Sequence, residues 1–194
     1  DVVTDNIAEV TPTGIRTKDG QEHPVDAIIY GTGFQATDFL APMKITGRDG
    51  VDLNQVWRDG AEAYLGMTVS GFPNLFLLYG PNTNLGHNSI VYMLESQFSY
   101  ILDAVKTLQQ RDLRFVDVRS QVQGVYNRWV QKQIKNTIWD AGCTSWYKTA
   151  SGKNTNNWPG FTLVYRYKTR HFDSQDYELA VKSARVVPLQ GVAA

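Results

Sequence analysis

The stretch Phe72-Pro73-Asn74-Leu75-Phe76-Leu77-Leu78-Tyr79-Gly80-Pro81-Asn82 decides the fold reading. Its apolar run from Leu75 to Tyr79, halted by Gly-Pro-Asn, predicts a strand covered on both faces. A loop from Thr83 to His87 follows, and then the clearest helix of the chain. Ile90, Leu94, Phe98, Ile101, Leu102, Val105 and Leu108 recur at steps of three and four, which predicts one apolar stripe on the helix. Asn88 or Ser89 is the expected cap, and Lys106 and Arg111 stand where positive charge suits the carboxyl end of a helix dipole.

Upstream, Ile7 to Thr11 and Ile15 to Thr17 flank Pro12-Thr13-Gly14, and Lys18-Asp19-Gly20 supplies a second turn. This predicts a small antiparallel meander. It feeds Ala27-Ile28-Ile29-Tyr30, a second apolar run read as a buried strand and ended by Gly31-Thr32-Gly33. Residues 35 to 63 are turn-rich. Downstream of the long helix, Phe115 to Val118 predicts a short strand. Ser120 with Gln123 predicts a capping box for a second helix, whose Val122, Tyr126, Trp129, Val130 and Ile134 share a face. Residues 137 to 160 read as a loop rich in Gly, Asn and aromatics. Tyr165, Tyr167 and Thr169 alternate with Arg166, Lys168 and Arg170, which predicts an edge strand with one basic face.

Composition narrows the classes. The 194 residues carry 19 basic and 19 acidic side chains, so the global positive field that non-specific nucleic-acid binding draws upon is missing. No apolar run approaches the roughly 20 residues of a membrane-spanning helix. One cysteine, Cys143, excludes an intrachain disulfide framework and suits a reducing compartment, with the cytoplasm as the default. The chain opens at Asp1, straight into strand pattern, as a piece of a longer protein does.

Chemistry-bearing motifs are few. Three histidines and one cysteine make no recognisable zinc pattern, and a hydrolase nucleophile elbow is missing. Gly152-Lys153 lacks the upstream glycine of a phosphate loop and is followed by Asn154 where Ser or Thr would bind magnesium. Gly31-Thr32-Gly33-Phe34-Gln35-Ala36 matches the relaxed dinucleotide pattern, but no periodic helix follows and Pro42 interrupts the stretch.

The same segment reads better in another way. Asp26 to Phe34, with its acidic residue, apolar strand and small-Thr-Gly-Phe turn, resembles class B flavoprotein monooxygenases, the group of Baeyer-Villiger and flavin-containing monooxygenases. Phe72 to Asn82 is similar to their last FAD-domain strand with its terminal Gly-Pro. Cys143-Thr144-Ser145-Trp146-Tyr147 and Trp158-Pro159-Gly160 resemble their C-terminal region. Together these motifs cover most of residues 15 to 179 in order.

The resemblance implies an α/β fold, the C-terminal part of a flavoprotein with two dinucleotide-binding domains. Residues 1–111 would be the end of the FAD-binding domain, 112–179 a C-terminal helix, loop and edge-strand region, and 180–194 a poorly ordered tail. It implies FAD and NADPH as cofactors, a ketone as substrate, and insertion of one oxygen atom through a peroxyflavin. Heteroatom oxidation, a flavoprotein reductase and a stand-alone binding module are the alternatives. The upstream part of the same enzyme is the expected partner, and the isolated chain is expected to be inactive.

The expected flavin-facing residues are Thr32 and Gly33 at one strand end, and Gly80, Pro81, Asn82, His87, Asn88 and Ser89 at the other. A strand ending in glycine lets a planar cofactor approach the backbone, and a helix N-terminus suits the electron-rich edge of a flavin. Trp146 matches a tryptophan that touches the nicotinamide cofactor in the resembling enzymes. The bland readings stand beside these: a Gly-Pro-Asn terminator ends many strands, and Trp146 and Trp158 can simply anchor a loop. The Gly-rich fingerprints and catalytic residues of the group would lie upstream, so no catalytic residue is named.

Overall fold

The Pro12-Thr13 link is short enough to fold the chain straight back on itself, which sets the first sheet. The computed structural model describes residues 1–142 and 145–182, in two units divided after Phe34. In the first unit, β1 (Ile7–Thr11), β2 (Gly14–Thr17) and β3 (Glu22–Pro24) form an antiparallel meander in that order. Thr11 pairs with Gly14, and Arg16 pairs with Glu22. Gly14 is needed here, because a Cβ would run into the carbonyl of His23 on β3. Arg16 reaches Glu9 at 2.6 Å and Glu22 at 3.2 Å, but these exposed pairs add little stability.

The strand expected at Ala27–Tyr30 does not form: the segment is irregular, with Ile29 94% exposed. A strand exists only through a partner's hydrogen bonds, and among the described residues nothing pairs with 27–30.

The second unit is built on α1 (Leu53–Val56), α2 (Ile90–Gln110), β4 (Leu113–Val118), α3 (Ser120–Ile134), α4 (Thr162–Lys168) and β5 (Tyr177–Val181). Mixed helix and sheet is therefore the architecture. β4 and β5 pair antiparallel from Leu113–Val181 to Val118–Tyr177. One core gathers Met93, Tyr100, Val116, Val130, Tyr165 and Tyr177 from these elements and Trp158 from the loop before α4; a smaller one gathers Leu53, Trp57, Val69 and Phe72. Asp117, 3% exposed on β4, accepts from the Gly71 amide at 2.9 Å and from Arg48 at 3.1 Å, joining the loop before α1 to the sheet. No helix among the described residues is long and apolar enough to cross a membrane.

Four local expectations are corrected. Leu75–Tyr79 is irregular: the Leu77 amide donates to the Met67 carbonyl and the Tyr79 amide to the Gln97 side chain, and Tyr79 has φ 56°. Residues 165–170, expected as an edge strand, belong to α4 and its end. Thr162, Tyr165 and Thr169 share its buried side, so the period-two alternation of aromatics and cations is coincidental. Ser120 is the first residue of α3 and not its cap, and Gln123 turns instead to accept from the Ser70 amide at 2.7 Å.

The fourth concerns α2. Its buried face is Met93, Ser96, Gln97, Tyr100 and Ala104; of the expected stripe, Ile101 and Leu108 pack against the core while Phe98, Leu102 and Val105 are exposed. Polar Gln97 is tolerated inside because its amide donates to the Tyr165 hydroxyl and accepts from Tyr79, which hides the true core face from a hydrophobicity pattern. Of the expected tail, Ala180 and Val181 complete β5, and residues 183–194 lie outside the described residues.

Candidate functional site

Thr32 and Gly33 lie in the first unit, exposed, with Gly33 at φ 75°; nothing lies within 4 Å of the place a Gly33 Cβ would occupy. The remaining candidates are in the second unit and fall into two groups.

Gly80, Pro81 and Asn82 are buried and make a joint. A Cβ on Gly80 would strike the carbonyl of Gly66, and one on Gly66 would strike Thr83 and the Pro81 carbonyl, so the two backbones pass in direct contact. Thr83 closes the turn by donating to the Gly80 carbonyl at 2.7 Å. Asn82, at φ 57°, donates its side-chain amide to the carbonyls of Asn154 at 2.9 Å and Asn157 at 3.2 Å, and its backbone amide to Thr155. Asn84 then bridges Asn157, and the Trp158 amide donates to the Asn84 carbonyl. Asn154 to Asn157 thus hold the loop in front of α2. Their clasp on Asn82 has no signal in the linear sequence, although the run Asn154-Thr155-Asn156-Asn157 immediately precedes Trp158-Pro159-Gly160.

His87, Asn88 and Ser89 are exposed at the amino end of α2. Ser89 occupies the cap position with an extended backbone and makes no side-chain cap bond, and the first turn of α2 carries no acidic residue. The Asn88 side chain accepts from the Ser89 amide at 2.7 Å and donates to Thr162 at 2.8 Å, tying this turn to the start of α4. The amides of the first turn have no intrahelical acceptor, and the positive end of the dipole is uncompensated. Such an end suits an electron-rich or anionic edge.

Beside it opens an apolar cleft of about 360 Å³ between Gly86–His87, Ile138–Trp139 and Trp158–Phe161. The Trp139 ring packs on Gly86, where a Cβ would collide with it. Tyr147 meets Trp139 edge-on at 5.6 Å, and Trp146 lies against Tyr147 at 5.1 Å with 55% of its surface exposed. A series of ring contacts thus links Trp146 through Tyr147 and Trp139 to Gly86, next to His87. Cys143 and Thr144, from the motif containing Trp146, lie outside the described residues. Trp158 is buried, its indole donating to the Phe161 carbonyl at 3.3 Å, so it anchors the loop and walls the cleft.

Behind the cleft lies a tyrosine-rich core. Burial pushes the Tyr64, Tyr100, Tyr126 and Tyr165 hydroxyls above their ordinary range, and Tyr177 up to about 12. For Tyr64, a hydroxyl donated to Asp176 at 2.6 Å adds to the shift.

No family model matches the chain. Over 180 residues it is 49% identical to a protein of Pseudomonas aeruginosa named Baeyer-Villiger monooxygenase, covering 92% of this chain and 34% of that protein. A closed cyclohexanone monooxygenase structure matches 91% of this chain with 34% of its own, at TM-score 0.73 and 27% identity. A structure described as OTEMO in complex with FAD and NADP matches with TM-score 0.73 and 26% identity, over 91% of this chain and 33% of its own. The chain spans about a third of the length of the proteins it matches.

Proposed function

We propose, from the premise that the chain belongs to the Baeyer-Villiger monooxygenase family as a segment of it, that it is part of an FAD- and NADPH-dependent enzyme that inserts one oxygen atom of O2 into a ketone. The observation that carries this reading is the uncompensated amino end of α2 at His87–Ser89, open beside an apolar cleft. The residues present fit an isoalloxazine edge: the positive end of the α2 dipole lies at an exposed turn with no acidic residue in the first helical turn, and an aromatic wall borders that turn. Bound FAD, reduced by NADPH, would supply the activation of oxygen.

The chain's own residues would do the holding. Ser89, Asn88 and His87 would line the flavin's electron-rich edge. In the first unit, taken by itself, Thr32 and Gly33 offer a stretch of backbone that a planar ring could approach closely. Gly80, Pro81 and Asn82 would act from behind, since the Asn82 amide is already engaged with Asn154 and Asn157. Trp146 would cover the nicotinamide cofactor. Trp139 and Phe161 would exclude water from the cleft, where a ketone of small to moderate size would sit.

The finer architecture follows the same reading: residues 1–111 close an FAD-binding domain of a flavoprotein with two dinucleotide-binding domains, and 112–179 form its C-terminal region. The rest of the enzyme would pair with residues 27–30 and cover the exposed apolar face of α2. A reducing compartment such as the cytoplasm suits the single cysteine.

The test is the enzyme whose gene contains this segment, purified and supplied with NADPH, oxygen and a ketone. Co-purifying FAD and an ester or lactone product are expected. An N-oxide or sulfoxide product with no ester would favour the heteroatom-oxidising alternative, and a protein without flavin would overturn the reading.

A further inference from the structure

Four aromatic side chains run in sequence away from the cleft. Trp158, in its wall, has its ring centre 5.8 Å from that of Trp129. Trp129 lies 6.0 Å from Tyr126, and Tyr126 lies 5.3 Å from Tyr64. Tyr64 ends the series with its hydroxyl on the Asp176 carboxylate at 2.6 Å. Tyr64, Tyr126, Trp129 and Asp176 also line an open groove of about 540 Å³. One end of the series thus touches the cleft and the other reaches a groove.

We propose that Trp158, Trp129, Tyr126 and Tyr64 form a one-electron relay that drains oxidising equivalents from the cleft to the Tyr64–Asp176 pair, where a solvent-borne reductant discharges them. The chemistry of the ring contacts decides where the charge rests. Indole and phenol rings are among the side chains most readily oxidised by one electron, and a phenol gives up its electron far more easily when a base receives its proton. Tyr126 has no such base: its buried hydroxyl has no hydrogen-bond partner. The Lys168 ammonium lies 4.9 Å from the Trp129 ring centre, which disfavours a positive charge resting there.

The side branches offer no stopping place either. Tyr165, 5.1 Å from Trp158, donates to the Leu65 carbonyl, and Tyr177 shares its hydroxyl with Tyr100 and Thr68. Among the described residues of this aromatic cluster, the tyrosine hydroxyl hydrogen-bonded to a carboxylate is that of Tyr64.

The steps balance. A one-electron oxidant in the cleft, such as a radical from hydroperoxide breakdown, takes an electron from Trp158 and is itself reduced. The vacancy is refilled from Trp129, and then across Tyr126 from Tyr64. Tyr64 loses one electron to the relay and its hydroxyl proton to Asp176, leaving a neutral phenoxyl radical and a carboxylic acid. A thiol or ascorbate entering the groove returns one electron, Asp176 returns the proton, and the resting pair is restored. In an enzyme that handles oxygen, this removes oxidising equivalents that would otherwise damage the cleft. The relay's use in turnover rests on the monooxygenase reading, but its electron transfer does not.

The test therefore supplies its own oxidant. In the full 194-residue chain carrying Cys143→Ser and Phe161→Cys, a ruthenium polypyridyl label on the new thiol sits beside Trp158, and a flash in the presence of a quencher makes it a one-electron oxidant. Electron paramagnetic resonance, with spin trapping and peptide mapping of the adduct, is expected to find the radical on Tyr64. Trp129→Phe and Asp176→Asn should each abolish the Tyr64 radical, with circular dichroism confirming the fold. Because mapping on the chain with an intact relay needs no relay variant, the result survives a variant that fails to fold. A radical trapped on Trp158 or Tyr165, or a Tyr64 radical untouched by Trp129→Phe in a folded chain, overturns the relay while leaving the monooxygenase reading standing. Absence of flavin from the purified enzyme that contains this segment would do the reverse.

Discussion

Asn82 and Asn154 stand 72 residues apart in the chain, and the side-chain amide of one donates to the backbone carbonyl of the other at 2.9 Å. The terminator motif before the cleft is thereby clasped by the Asn-rich loop behind it. Asn82→Ala leaves the Asn157 carbonyl without this donor in a buried place, while the Asn154 carbonyl keeps the Gln131 amide, for a loss of about 1–3 kcal/mol. Chemical denaturation of the chain should show the midpoint falling with an unchanged slope.

Gly80 meets Gly66 backbone to backbone, so Gly80→Ala has no flexible side chain to push aside. Overpacking of this sort costs about 1–3 kcal/mol, and the strain falls on the loop that carries His87. Thermal melting of Gly80→Ala beside Gly33→Ala separates two causes. Gly33 meets nothing within 4 Å, so any loss there comes from its positive φ alone.

Tyr126 keeps its ring packed against Tyr64 and Trp129 while its hydroxyl is buried without a partner. Tyr126→Phe retains the packing and removes the unmet polar atom, so stability should hold or rise. Tyr177→Phe is the contrast, since its hydroxyl lies 3.0 Å from both Thr68 and Tyr100. A loss of about 1 kcal/mol is expected there, and equal effects from the two substitutions would contradict the hydrogen-bond assignment.

Alkaline pH should unfold the second unit through its tyrosines. Burial raises Tyr177 from 10.0 to about 12, and Tyr64, Tyr100, Tyr126 and Tyr165 move the same way. Above pH 10 the unfolded chain releases phenolic protons that the fold retains, so the unfolded state binds fewer protons and stability falls as pH rises. Full stability is therefore expected below pH 10, with progressive loss toward about 12. Phenolate absorbance and circular dichroism, followed together, should change in one step. Phenolate formation with the circular dichroism intact would show these hydroxyls to be open to water.

The long helix, its successor α3, the strand between them and the opening meander were legible because each has a local cause. Three-and-four spacing and Gly- or Pro-bearing turns act over a few residues. The motifs at Asp26–Phe34, Phe72–Asn82, Cys143–Tyr147 and Trp158–Gly160 were legible for a different reason: they are linear strings, and the resemblance they carry agrees with the homology over 92% of the chain.

Tertiary structure decided the rest. Whether Ala27–Tyr30 or Leu75–Tyr79 becomes a strand depends on a neighbour's amides and carbonyls, which no window of sequence contains. Which face of α2 is buried depended on Gln97 finding Tyr165 and Tyr79, so a polar residue marks the core and Leu102 faces outward. Residues 165–168 took helical form, with Thr169 as the cap, because this brings Thr162, Tyr165 and Thr169 together on one buried side. Sequence alone determined what recurs over one or two turns and which linear motifs are present. Packing determined which backbone groups meet, because hydrogen bonds and burial are satisfied between residues as distant as Asn82 and Asn154.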